Sequence, residues 1–212
     1  MVDEHKVQFL SRFAIFQGIA KKELLKVTSL FEEKIIPAHT TFIKEGSTSD
    51  ELYCILSGLV RIYNLHESGK EVTVTIRMPG EVIGEMAILN DKPRSASAES
   101  LEEVHVLVIK KKDLITVLDL YPSVGLHILR ILSERLREAI HTQKLSSFAP
   151  LEERIYHILT ILSEYFSSDG VKLTHEQLSV LVNATQPRVT EALNELQKHN
   201  KISLFRKRIL IN

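Results

Sequence analysis

Two groups of residues in this chain have the types and spacing that chemistry needs. The first is Gly84-Glu85 together with Arg94-Ser95 in the following loop. Glycine lets a backbone approach a ligand with no Cβ in the way. One helical turn over residues 85–89 would aim its N–H groups at an anion. Arg94 offers a planar fork of donors suited to phosphate oxygens, and Ser95 adds a hydroxyl and a backbone N–H. Glu85 can accept hydrogen bonds from a sugar hydroxyl. The same residues could equally form a Glu–Arg ion pair across a loop, and the dipeptides alone do not separate the two.

The second group runs from Thr174 to Leu193. Thr174 is a helix N-cap, and Gln177 three residues on completes a capping box. Asn183 can take a left-handed turn conformation. Thr185 is placed to cap a second helix, with Pro187 in its first turn, where a missing N–H costs little. This is a helix, a tight turn and a second helix. Glutamine can pair with adenine and arginine with guanine in a DNA major groove. Gln186, Arg188, Thr190, Glu191 and Asn194 lie early enough on the second helix to reach DNA. Thr185 and Arg188 suit phosphate. Lys201–Phe205 and Arg208–Ile211 read as a small β wing about Arg206-Lys207, and Lys207 and Arg208 could also touch phosphate. The formal net charge is zero, but residues 186–212 hold six Lys or Arg against two Glu. Such a local excess is the footprint of a DNA-binding end, although a solvated tail would look the same.

Elements must hold these groups in place. The 212 residues suit one or two domains, and 44% apolar with 25% charged residues reads as globular. No apolar run approaches the roughly 20 residues of a membrane span, and Met1-Val-Asp-Glu-His-Lys carries no signal-peptide pattern. A cytoplasmic protein without membrane contact is expected. Cys54 is the single cysteine. It excludes an internal disulfide, falls short of a thiolate-held cluster, and sits in the apolar strand Leu52–Leu56 as a core residue. Nine histidines are scattered with none four apart on a predicted helix, so neither a metal nor a prosthetic group is expected. No nucleophile–base pairing emerges, which argues against an enzyme.

Short amphipathic helices are predicted over 6–14 and 21–31. From about residue 35 the period becomes two. Glu71–Arg77 alternates as a strand with one buried face, and Leu59–Leu65 and Val104–Ile109 are rich in β-branched residues. Gly46, Gly58, Gly69 and Gly80 punctuate these strands at turns, as in a jelly-roll or barrel-like sandwich. After Pro122 the period returns to 3.6. Val124–Leu145 carries a stripe at Leu129, Leu132, Leu136, Ala139 and Gln143, widened by Ile128 and Ile131. A two-sided apolar helix must bury both sides: one on its own β domain and one on a partner's helix, unless it is buried wholly in a monomer. A hinge is expected at Ser146–Pro150 and a further helix at Leu151–Phe166. The expected division is an effector-binding β domain over 1–120, a dimerisation helix and hinge over 121–146, and a winged helix-turn-helix over 147–212.

The run Pro79-Gly-Glu-Val-Ile-Gly-Glu-Met-Ala-Ile-Leu-Asn-Asp-Lys-Pro-Arg-Ser-Ala-Ser-Ala98 resembles the phosphate-binding cassette of the cyclic-nucleotide-binding fold. With the long helix and helix-turn-helix behind it, the whole chain resembles the CRP/FNR family of bacterial transcription regulators. That resemblance implies an α+β chain: an N-terminal β-roll of double-stranded β-helix type, a long dimerisation helix and a C-terminal winged helix-turn-helix. Glu85 would bind a ribose 2′-OH, and Gly84, Arg94 and Ser95 would cradle the phosphate. Arg135 on the long helix would lie near Glu85 and the nucleotide, and the Thr75 hydroxyl would approach the base. Where catabolite activators place adjacent Thr and Ser to read adenine, this chain has Ala139 and Ile140, with Thr142 nearly a turn further on. Cyclic AMP is the expected effector, with cyclic GMP, another anionic metabolite or no ligand as alternatives. The family's base-reading glutamate is replaced by Pro187 and a frequent arginine by Glu191, so the operator should differ. Implied partners are palindromic double-stranded DNA, a second copy of the chain and RNA polymerase. A cyclic-nucleotide-binding regulatory subunit of an enzyme is the reading from another class, and the basic winged helix-turn-helix speaks against it.

Overall fold

The computed structural model describes residues 4–166, 169–206 and 208–212. Lys207, an expected DNA contact, lies outside the described residues. The chain divides into two compact units, Met1–Glu134 and Arg135–Asn212.

The first unit opens with α1 (Glu4–Leu10) and α2 (Lys21–Val27), each shorter than the periodicity predicts and each followed by a tight 3-10 turn, Ala14–Phe16 and Thr28–Leu30. Eight strands follow: β1 (Phe31–Ile36), β2 (Thr41–Ile43), β3 (Glu51–Ser57), β4 (Val60–Leu65), β5 (Glu71–Arg77), β6 (Val82–Ile83), β7 (Ser97–Ser100) and β8 (Val104–Lys110). They form two four-stranded sheets, ordered β1-β8-β3-β6 and β2-β7-β4-β5, in which neighbours run antiparallel. The pairs β1/β8, β2/β7, β3/β6 and β4/β5 are nested. The segment is therefore one long antiparallel ribbon, folded at the β4–β5 turn and rolled up, which is the expected jelly-roll. A short helix, α3 (Glu85–Asn90), interrupts the ribbon between β6 and β7, and α4 (Lys111–Leu120) follows β8.

The two sheets share an apolar layer that includes Ile36, Ile43, Tyr53, Ile55, Val60, Ile83, Ala98, Val106 and Val108. The β1-β8-β3-β6 sheet is covered on its other face as well. There Phe31, Leu52, Cys54, Val82, Leu107 and Ile109 pack against Leu10, Leu24, Leu114, Val117, Val124 and Ile128 from the helices. Burial on both faces explains why Leu52–Leu56 is an unbroken apolar run rather than an alternating one. Cys54 is fully buried, and burial pushes its thiol well above the usual range.

The second sheet departs from expectation at β5. Its alternation predicts Val72, Val74 and Ile76 on one buried face, but Val72 and Val74 are exposed while Thr73 and Ile76 are buried. The cause is a bulge in β5 at Val74: Thr75 pairs with Ile62 and Thr73 with Tyr63, the next residue of β4, so Val74 is the extra residue. A bulge of this kind moves every residue beyond it to the opposite face. Buried Thr73 then accepts a hydrogen bond from Arg61 Nε at 2.9 Å, and the Arg61 Nη1 reaches Glu71 at 2.6 Å and Glu99 at 3.1 Å. The Arg61 guanidinium also lies over the Tyr63 ring at 4.5 Å. These contacts tie β4, β5 and β7 together on the face away from the shared core.

The long helix α5 runs Ser123–Phe148, and α6 runs Leu151–Phe166 as predicted. The expected five-residue hinge shrinks to Ala149-Pro150, because Ser146 and Ser147 continue the helix. A residue before proline is pushed out of the helical region, which sets the stop at Ala149. On α5 Leu126, Leu129, Leu136 and Ile140 are between 59 and 63% exposed, and Phe148 at the helix end is 84% exposed. The exposed stripe is thus rotated from the predicted one, since Leu132 packs on the chain's own core.

In the second unit α6 buries Leu151, Ile155, Leu159 and Leu162. It packs against α8 (Gln186–Lys198), which in turn packs on α7 (His175–Leu181). The wing is β9 (Ile202–Phe205) paired antiparallel with β10 (Arg208–Ile211), and Val171 bridges to Ile209. No single described helix is long and apolar enough to cross a membrane.

Candidate functional site

Gly84 joins β6 to α3 and adopts φ 90°. A Cβ at this position would fall 2.3 Å from Arg94 Nη1 and 2.8 Å from the Glu51 carbonyl oxygen. Glycine is therefore required twice, by backbone conformation and by the guanidinium lying against it. Glu85, the first residue of α3, is buried. Asp91 ends the helix in a left-handed conformation at φ 54°, and the chain returns through Lys92 and Pro93 to Arg94.

Arg94 is 4% exposed. Its Nη1 donates to the Gly84 carbonyl at 2.8 Å, and its Nη2 donates to Ser49 Oγ at 2.8 Å and to the Glu51 carbonyl at 2.5 Å. The Arg94 backbone is held as firmly: its N–H donates to the Ser47 carbonyl at 2.9 Å, and its carbonyl accepts from Gly46 N–H at 2.8 Å. Of the five guanidinium donors, Nε–H is buried with no hydrogen-bond partner. Burial lowers the Arg94 pKa, and the charges of Tyr53, Glu51, Glu85 and Asp50 oppose that shift. A buried cation held mainly by neutral oxygens, with a donor to spare, suits an incoming anion.

Ser95 follows at the surface, its hydroxyl 3.7 Å from Met86 Sδ and its carbonyl accepting from Asn64 Nδ2 at 2.8 Å. Gly84, Glu85, Arg94 and Ser95 are thus brought together in one β6–α3–β7 connection. Thr75 lies apart on β5, half-buried, with its hydroxyl 3.3 Å from the Ile76 carbonyl. Arg135 lies on α5 in the second unit. Sequence reading missed Ser49, Glu51 and Asn64. They act on Arg94 and Ser95 from more than 30 residues away, and nothing local marks them.

The helix-turn-helix is built as its sequence indicates, with one exception. Gln177 N–H donates to Thr174 Oγ1 at 3.1 Å, and Thr174 N–H donates to Gln177 Oε1 at 2.9 Å, which is the predicted capping box. Asn183 takes φ 53° in the turn. Pro187 lies in the first turn of α8. Thr185 stands at the N-cap but makes no side-chain capping bond, contrary to expectation. An exposed hydroxyl at a helix start can be solvated instead, and Pro187 already removes one of the N–H groups that a cap would serve.

Gln186, Arg188, Glu191 and Asn194 are exposed on α8, while Val189, Ala192, Leu193 and Leu196 face inward. Thr190 is half-buried: its hydroxyl donates to the Gln186 carbonyl at 3.1 Å and meets His175 Nδ1 at 2.9 Å. Arg154 Nη1 of α6 donates to the Val182 carbonyl in the turn at 3.3 Å. On the wing, Arg208 is exposed with its guanidinium 5.0 Å from the Phe205 ring.

A family model described as "Cyclic nucleotide-binding domain" matches residues 33–121, from within β1 through β8 and α4. The "Anaerobic regulatory protein" of Bacillus subtilis is 30% identical over 190 residues, covering 86% of this chain and 79% of that protein. This chain belongs to the CRP/FNR family of bacterial transcription regulators. The "Cyclic AMP receptor protein" of Thermus thermophilus is 28% identical over 190 residues, covering 90% of this chain and 88% of that one. The crystal structure of the Thermus thermophilus catabolite activator protein aligns with a TM-score of 0.57 and 27% identity over 94% of this chain and 93% of that chain. Within this CRP/FNR regulator the two halves of the family's activity are both in place: the β-roll with its cassette, and the winged helix-turn-helix.

Gly84→Ala should destabilise the β-roll by about 2–4 kcal/mol, from a strained left-handed alanine and a displaced, buried guanidinium. Denaturant titration of the full chain measures this. A loss below about 1 kcal/mol would mean that Arg94 can move aside freely.

Proposed function

We propose that a cyclic nucleotide held by Gly84, Glu85, Arg94 and Ser95 controls operator binding by a homodimer of this chain. The observation that carries the reading is the Arg94 guanidinium, buried against Gly84 with Nε–H unpartnered beside the exposed Ser95. Nearby acids, Glu51, Glu85 and Asp50, act on the same guanidinium. A cyclic phosphodiester brings one negative charge and suits this balance better than a dianionic monophosphate. Relatives include a protein named for its cyclic AMP response, and cyclic AMP is the first candidate here. Ala139 and Ile140 offer no side-chain hydrogen bonds to a base, so cyclic GMP stays the second. Arg135 is assigned to the nucleotide and Thr75 to the base by family resemblance.

The exposed stripe on α5 favours a second copy of the chain as its cover. Leu126, Leu129, Leu136 and Ile140 recur at the spacing of a coiled-coil seam. Two-fold symmetry then implies a palindromic operator, read by Gln186, Glu191 and Asn194 in half-sites about 34 Å apart. Thr185, Arg188, Lys207 and Arg208 are assigned to phosphate. RNA polymerase is the downstream partner, the protein acts in the cytoplasm, and it carries no enzymatic activity.

Calorimetry with cyclic AMP and cyclic GMP tests the effector. Arg94→Lys keeps the charge but loses the fork, and affinity should fall by about 2–5 kcal/mol. A wild-type protein that binds neither nucleotide would transfer the assignment to a ligand-free regulator. Leu136→Arg places two unpaired charges across the seam, so sedimentation should show monomer; an unchanged dimer would put the interface elsewhere. Gln186→Ala should cost about 1–3 kcal/mol at one position of each half-site. Arg188→Ala should weaken binding to every sequence and flatten the salt dependence. Binding-site selection on both variants at two salt concentrations separates these roles. Wild-type motif and affinity in both would remove α8 as the reader.

A further inference from the structure

Gln186 reads DNA, in the proposal above, from the first residue of α8, where a helix is held least firmly. Three groups converge to fix that turn. Thr190 is four residues further along, and its hydroxyl donates to the Gln186 carbonyl at 3.1 Å. A threonine hydroxyl has one proton. With that proton committed, Thr190 Oγ1 is left as an acceptor for the Nδ1–H of His175, which lies 2.9 Å away at the start of α7. His175 is half-buried, and the residues on either side of it, Thr174 and Glu176, are exposed. The capping box of Thr174 and Gln177 fixes the backbone on which His175 stands. The result is a relay from α7 through Thr190 to the carbonyl of the residue that carries the reading amide.

We infer that His175 is a positioning residue for operator recognition: through Thr190 it sets the orientation in which α8 presents Gln186. The inference rests on the reading of α8 as the recognition helix. A base-edge pair needs its donor and acceptor within a few tenths of an ångström of their best positions, whereas a phosphate contact tolerates more. Loss of the relay therefore lowers the preference for the operator over other sequences and leaves the general attraction to DNA in place. Asparagine can stand in for the ring, because its amide places an N–H near the position of Nδ1–H.

The test is a comparison of operator and non-specific DNA binding at fixed salt for His175→Leu, His175→Asn, Thr190→Val and the double variant His175→Leu/Thr190→Val, in the full-length protein. His175→Leu and Thr190→Val should each reduce operator affinity about tenfold with non-specific affinity unchanged. The double variant should be no worse than either single one, and His175→Asn should stay close to wild type. Additive losses, a parallel fall in non-specific binding, or an asparagine variant as poor as the leucine one would each overturn the relay. Thr190→Ser, which keeps the hydroxyl, supplies the same contrast against Thr190→Val if the leucine variant does not fold. Gln186→Ala distinguishes the two levels. If it leaves specificity intact, α8 is not the reader and the proposed function fails first. If it abolishes specificity while His175→Leu does not, the positioning role alone is overturned.

Discussion

The burial of the Arg94 guanidinium is the constraint around which the effector domain is organised. A buried charge is costly unless it is hydrogen-bonded and balanced. Here the hydrogen bonds come from the carbonyls of Gly84 and Glu51 and the hydroxyl of Ser49. Each acceptor has to be brought to the same point from a different part of the ribbon. The start of β3 supplies Glu51, the end of β6 leads into Gly84, and the polar loop before β3 supplies Ser49. The requirement dictates glycine at position 84, since any Cβ there would meet the guanidinium. Neutral acceptors satisfy the donors without cancelling the charge. Burial moves the Arg94 pKa downward although acidic neighbours pull the other way, so an anion arriving at Nε would relieve a burden that the fold already carries.

The two sheets divide the remaining work. The β1-β8-β3-β6 sheet is covered on both faces and forms the rigid wall from which Glu51 projects its carbonyl. The β2-β7-β4-β5 sheet is open at β5, and the bulge at Val74 of β5 leaves Val72 and Val74 exposed while drawing Thr73 inward to Arg61. Asn64, on the strand paired with the bulged one, holds the Ser95 carbonyl. Irregularity in this sheet therefore lies beside the strand that holds the loop of Arg94 and Ser95. The sole cysteine lies on the rigid wall, fully buried, with its thiol disfavoured as thiolate. Redox or metal chemistry through a thiolate has no support from such a position.

What the sequence made legible was mostly local. The Thr174–Gln177 capping box, the left-handed Asn183, the bounds of α6 and the wing strands all depend on residues within one or two turns of each other, and all appear as read. The cassette was legible through resemblance, since its dipeptides alone were ambiguous. Failures arose where a distant partner or a single extra residue decided the outcome. The alternation of Glu71–Arg77 runs on unbroken through Val74 and does not announce the bulge there. The apolar stripe of α5 was read from spacing alone, and its true exposed line depends on Leu132 docking into a core assembled from residues a hundred positions earlier. Ser49 and Asn64 are ordinary polar residues until the roll closes.

Thr185 and Thr190 show how the same side chain separates into different roles within one helix. Both looked equally placed to meet DNA. Thr185 stands at the N-cap with its hydroxyl unused by the helix, so it remains available to an outside acceptor such as phosphate oxygen. Thr190 sits one turn into α8, half-buried, where its hydroxyl bonds the Gln186 carbonyl and meets the ring of His175. A hydroxyl in that position contributes little to general DNA affinity, because it has no free direction in which to reach. Its contribution is to rigidity at the end of the helix where fraying is easiest. Specificity depends on that end being fixed before DNA arrives, since a reading side chain that must first be ordered loses part of its binding energy to conformational entropy.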